Sequence, residues 1–207
     1  MTDTGERILT SALRLFARDG YEAVSVSAIA GDVGITKGAL YRHYKNKRDI
    51  FDSIVGRMVR TDAERAGRFE LPQERREDAP QSYERLSVRS VAEYTLSQFS
   101  FWTEDPFASD FRKMLALERY RNAEAAKLYE DCFTLGPVSY VADIFRSMIG
   151  EGVLAESDPE QLALAYYSPL FLLVEASSGG KDREELLGLL KRHIDRFFRR
   201  NGVGGEV

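Results

Sequence analysis

Residues 24–47, VSVSAIAGDVGITKGALYRHYKNK, constrain the fold more than any other stretch. Ser25 is a helix-capping residue placed before Val26, Ile29, Ala30 and Val33, an apolar set at helical spacing. Gly34 ends that run and Thr36 caps the next, leaving room for only a very short turn. An earlier helix carries Ile8, Leu9, Ala12, Leu13 and Phe16 on one face, with Asp3 and Glu6 as a capping pattern and Gly20 as its stop. A later one opens at Asn46 with Asp49 and carries Ile50, Ile54, Met58 and Val59. Short helices joined by a tight glycine turn make a helix-turn-helix arrangement.

The rest of the chain keeps the same period, and no alternating strand pattern of useful length appears. The expected fold is all-α: an N-terminal three-helix helix-turn-helix domain at 1–50, then a larger helical domain at 51–207, about nine helices in total. The stretch ELPQERREDAPQ reads as an exposed loop, and Ser82 as the cap of the helix that follows. A further helix spans roughly 107–120, and a long one after it bends at Gly136-Pro137. Asp158-Pro159 and Asp182 with Glu185 start the last two helices. The longest apolar run, LFLLV, is too short to span a bilayer, and the single cysteine excludes an internal disulfide. A reducing, cytoplasmic location is expected.

The net charge of −4 argues against a polyanionic partner until its distribution is considered. Residues 1–50 hold eight Lys or Arg against six Asp or Glu, so the excess acid lies in the remainder. Within 36–47 stand Lys37, Arg42, His43, Lys45 and Lys47 with two tyrosines. Leu40 and Tyr44 are the inward positions of this third helix. Gly38 and Ala39, nearly free of side chain, let its start lie close to a base edge or phosphate. Tyr41, Arg42 and His43 are left to face a groove.

The segment ILTSALRLFARDGYEAVSVSAIAGDVGITKGALYRHYKNKRDIF resembles the DNA-binding domain of the TetR (tetracycline-repressor) family of bacterial regulators. The resemblance implies a recognition helix at 36–44. Thr36, Lys37, Gly38 and Ala39 would approach bases, with Lys37 the best placed for a base-edge hydrogen bond. Tyr41, His43 and Lys47 would grip phosphates, Ser25 and Ser27 would clamp the backbone, and Arg42 would serve either role. Val24 stands where the family usually has Thr, and Gly31 is an unexplained glycine inside a helix.

The resemblance also implies double-stranded operator DNA as partner, a homodimer through the last two helices, and a small-molecule effector. Tyr166, Leu170, Leu173, Leu186, Leu190, His193, Ile194 and Phe197 are the dimerisation candidates. An effector pocket is expected among Phe99, Trp102, Phe111, Met114, Glu118, Tyr129, Phe133 and Tyr140, lined for a largely apolar ligand, aromatic or acyl-bearing. Repressor, activator and ligand-independent DNA-binding factor all stay open. With only His43 and His193 as histidines, there is no metal set, no Cys-His dyad and no cofactor motif. Cys132 reads as a small buried hydrophobe, and no enzyme chemistry is expected.

Overall fold

The computed structural model describes residues 4–74 and 76–203. Among them are ten α-helices, one 3-10 turn and no strand beyond a single bridge, Leu154 with Gly202. In chain order they are α1 (Thr4–Asp19), α2 (Val26–Val33), α3 (Lys37–Leu40), α4 (Lys47–Arg68), α5 (Val88–Glu104), α6 (Pro106–Glu118), α7 (Ala123–Phe133), α8 (Leu135–Gly150), α9 (Pro159–Ser177) and α10 (Arg183–Asn201). The all-helical reading of the sequence is what the chain adopts.

Two compact units result. The first is Met1–Thr61 with Asp105–Tyr129, and so takes in more than the fifty residues the sequence suggested. α6 packs along α1. Ile8, Ala12 and Phe16 of α1 are fully buried, as are Ile29, Leu40, Ile50, Ile54, Phe111 and Met114. A buried leucine or isoleucine of this kind stabilises the fold by about 1.5–3 kcal/mol, so the added helix face contributes to the stability of this small unit. Polar ties fasten α1 to α2: Ser11 donates to Asp32 at 2.5 Å, Arg14 pairs with the same carboxylate at 2.6 Å, and Arg7 donates to the Val33 carbonyl at 2.7 Å. The Ser11 and Arg14 hydrogen bonds hold the Asp32 carboxyl below its usual range.

The second unit is Asp62–Glu104 with Glu130–Val207. α8 lies against α9, and α9 against α5 and α10. Phe145 is fully buried at its centre, stacked on Phe197 at 5.5 Å and edge-on to Tyr166 at 5.3 Å.

Several elements differ from their sequence reading. Ser82 caps no helix: it sits in a 3-10 turn at Pro80–Tyr83, and α5 starts later, where Ser87 accepts the Ser90 N–H at 2.9 Å. Tyr83 is the reason, since its ring is buried and its hydroxyl donates to the Glu74 carbonyl at 3.0 Å, folding the segment inward. Leu71 and Pro72 are buried too, so that loop is not wholly exposed. The long helix bent at Gly136-Pro137 is instead two helices, broken at Thr134 (φ −122°, ψ −99°). Pro137 falls in the first turn of α8, where its missing N–H costs nothing. The Asp3 cap lies outside the described residues. Asp158 and Asp182 cap α9 and α10 as read.

Candidate nucleic-acid interface

Local chemistry explains the turn between α2 and α3. Ser25 accepts the Ala28 N–H at 3.1 Å and Thr36 accepts the Ala39 N–H at 3.1 Å, each satisfying an amide that the first helical turn leaves open. Gly34 adopts the left-handed conformation (φ 76°) that lets the Ile35 N–H reach the Ala30 carbonyl at 2.9 Å. Reciprocal bonds open α4: Asn46 accepts the Asp49 N–H at 2.9 Å, and Asp49 accepts the Lys45 N–H at 2.8 Å.

The helix expected at 36–44 is only four residues long, and 41–43 continue as turns. Leu40 is fully buried and Tyr44 donates to the Gly5 carbonyl at 3.2 Å, so these two anchor the segment as expected. Ser25, Ser27, Thr36, Lys37, Gly38, Tyr41, Arg42 and His43 share one exposed stretch, and Ala39 is half-buried. The Lys37 ammonium lies 5.8 Å from the Tyr41 ring centre, and 46% of Tyr41 is exposed. Val24 is in the core, which accounts for an apolar residue there.

Lys47 is a correction. Its ammonium donates to the Tyr21 carbonyl at 2.8 Å and lies over the Tyr21 ring at 4.3 Å, so it braces the α1–α2 corner and does not reach outward. Glu118, expected in an effector pocket, holds the other side of the same corner. Its carboxylate accepts the Tyr21 N–H at 2.9 Å, beside Gly20 in left-handed conformation (φ 88°). Nothing in the sequence around either residue points to a partner so distant along the chain.

Gly31 has no steric reason to be glycine. A Cβ there would meet nothing within 4 Å, and its φ lies outside the left-handed region. Gly31→Ala is therefore expected to raise stability by about 0.5–1 kcal/mol, measurable by denaturant unfolding, with no loss of helix packing.

The pocket candidates divide between the two units. Phe111, Met114, Glu118 and Tyr129 belong to the first unit and Phe99, Trp102, Phe133 and Tyr140 to the second. Phe99, Phe111 and Met114 are fully buried core residues. In the second unit Trp102 meets Phe133 edge-on at 4.8 Å, and Tyr140 donates to the Pro72 carbonyl at 2.8 Å. Sequence reasoning passed over a polar group in the same unit: Asp62, Tyr94 and Gln98. The Gln98 amide donates to Asp62 at 2.9 Å and to the Tyr94 hydroxyl. The available signal was Tyr94, Gln98 and Trp102 at four-residue spacing on one helix.

The dimerisation candidates also need correcting. Tyr166, Leu170, Leu173, Leu186, Leu190, Ile194 and Phe197 are buried within their own chain, and the His193 ring lies 3.0 Å from the Tyr166 carbonyl. The apolar side chains that α9 and α10 leave outward are Leu164, Leu172 and Leu189, at 46%, 65% and 43% exposure.

Burial pushes the Cys132 thiol up to about 12, with the Asp62 charge adding to it. At pH 8 the thiolate fraction is then roughly a thousandfold below that of an ordinary cysteine. Iodoacetamide labelling of the native chain is expected to be slower than that of the unfolded chain by a similar factor, as read by mass spectrometry.

Residues 8–54 match the family described as "Bacterial regulatory proteins, tetR family". Over 52 residues the chain is 44% identical to the HTH-type transcriptional regulator AcrR of Shigella flexneri, covering 25% of this chain and 24% of that protein. Over 73 residues it is 38% identical to the HTH-type transcriptional repressor BepR of Brucella suis, covering 34% and 35%. The matched stretch thus spans only a quarter to a third of these relatives. The fold extends further: the structure of the SmeT–triclosan complex aligns over 99% of this chain and 94% of its own, with a TM-score of 0.71 at 20% identity. SmeT is the repressor of a Stenotrophomonas maltophilia multidrug efflux pump. No helix among the described residues is long and apolar enough to cross a membrane. The segment at 8–54 thus matches the tetR family of bacterial regulatory proteins, and the all-helical fold is shared with solved structures such as SmeT over nearly the whole length.

Proposed function

We propose that the protein is a ligand-responsive repressor that binds a near-palindromic operator as a homodimer. The observation that carries this reading is the unpaired, outward cluster of Lys37, Tyr41, Arg42 and His43 beside a capped glycine turn, on a chain that is otherwise acidic. Lys37 at the start of α3 reads a base edge, while Tyr41 and His43 hold phosphates and Arg42 serves either; Ser25 and Ser27 steady the backbone from α2. Two copies place these segments in successive major grooves about 34–36 Å apart.

The homodimer forms through the outward stripe of α9 and α10, where Leu164, Ser168 and Leu172 follow one another at four-residue spacing and Leu189 faces out from α10. Burying three leucines per copy favours a two-fold contact in which each patch meets its equivalent. A largely apolar effector in the helical body releases the operator through a coupling of about 1–3 kcal/mol per site.

The test is selection of genomic fragments from the source organism by the purified protein, followed by sequencing of what is retained. One or a few palindromic sites are expected. Retention of no site, before and after denaturing and refolding to strip any bound effector, rejects the reading.

A further inference from the structure

We propose that the effector of the second unit is an organic cation, a protonated amine on an apolar body, whose N–H groups are received by Asp62 and Gln98. This deepens the effector reading above and rests on it. Asp62 is half-buried at the edge of an aromatic interior, and its carboxylate has no ion-pair partner among the described residues. One of its oxygens takes the Gln98 amide at 2.9 Å and the Tyr94 hydroxyl at 3.4 Å. The orientation of that amide is forced, because turning it over would set its oxygen against the carboxylate. Its Oε1 is then left buried without a hydrogen-bond donor, on a side chain only 9% exposed. A buried acceptor in that state has lost its hydration with no bond in return. Two acceptors, one of them charged, thus lie within a single side chain of each other, and no donor among the described residues reaches the second.

Nearby positive charge does not supply one. Arg65, a turn further along α4, donates to the Ser97 carbonyl at 2.8 Å and hydroxyl at 2.7 Å, and its guanidinium lies on the Phe101 ring at 4.1 Å. Burial above all, with the Asp62 charge adding to it, raises the Tyr94 hydroxyl and the Cys132 thiol, while the Gln98 amide and Arg65 act the other way at Tyr94. The surroundings are apolar: Phe69 meets Tyr94 edge-on at 5.8 Å, and Trp102 stands one turn beyond Gln98 on α5. A carboxylate and an open acceptor beside aromatic rings suit a cation with a greasy body over a neutral or anionic ligand.

Trp102, the only tryptophan, stands one turn beyond Gln98 on α5, so its fluorescence is the readout for binding. The probes are 4-phenylbutylamine and 4-phenylbutanol, nearly equal in size and differing in charge at pH 7. The amine is expected to bind the full-length protein about tenfold or more tightly than the alcohol. Asp62→Asn is expected to bring the two within about twofold, and Asp62→Ser serves in its place if that variant does not fold. Equal binding of both probes by the unaltered protein overturns the proposal, as does an amine preference that survives loss of the carboxylate, or no response to either. Because no DNA enters this assay, it fails separately from the regulator reading. Amine preference with no effect on operator retention would remove only the regulatory role.

Discussion

Operator retention by the double variant Lys37→Ala/Tyr41→Ala is expected to fall about a hundredfold or more, with the fold intact. Each lost base or phosphate contact is worth roughly 1–3 kcal/mol, and a dimer loses each twice. Both side chains point outward, and their nearest mutual contact is the 5.8 Å approach of ammonium to ring. Neither is in the core, so the unfolding free energy should hold within the roughly 0.5 kcal/mol typical of surface changes. Lys47→Ala provides the contrast: it removes a donor from the Tyr21 carbonyl, and its first effect should be on stability. Retention by the double variant equal to that of the unaltered protein would show that the reading segment lies elsewhere.

The largest expected effect on stability comes from Gly136→Ala. A Cβ at this position would lie 2.0 Å from the Asp131 carbonyl oxygen and 2.6 Å from its carbon. Both are backbone atoms at the end of α7, so no side chain can swing aside. The α7–α8 junction must open, and the cost is expected to reach about 3 kcal/mol. For a chain of this size that lowers the melting temperature by roughly 6–12 °C. A shift under about 1 °C would mean that the junction tolerates a different path, and that the break at Thr134 is not fixed by close approach of the two backbones.

What was legible in advance follows from how far each determinant reaches. Caps act within three residues, and Ser25, Gly34, Thr36, Asp158 and Asp182 perform where the sequence placed them. Amphipathic faces are also local, so the helices of the reading domain and the all-helical class were plain. Side chains that reach across the chain were not. Lys47 looks like one more cation in a basic run until Tyr21, twenty-six residues earlier, receives it. Glu118 looks like a pocket group until it proves to hold the same turn. The broad apolar stripe of α10 records burial without saying by what, and most of it is consumed by α9 and Phe145. Pocket residues are no easier to read, because an aromatic in a core and one in a cavity have the same sequence signature. The informative group was polar: Gln98 among apolar neighbours.

The four-residue length of α3 carries a consequence for the electrolyte response of the complex. So short a helix has almost no macrodipole, because few peptide units are aligned, and attraction to a polyanion falls to discrete side-chain charges. In the reading segment Lys37, Arg42 and Lys45 have no ion pair among the described residues, whereas Lys47 is turned to a carbonyl and Arg48 is neutralised by Asp52 and Glu124. With Lys37 on a base edge, Arg42 and Lys45 on each of two protomers give a slope of about −4 in log affinity against log salt concentration, and releasing Lys47 and its copy would steepen it to about −5. The proposed operator complex is thereby expected to weaken by a moderate, countable number of displaced counterions.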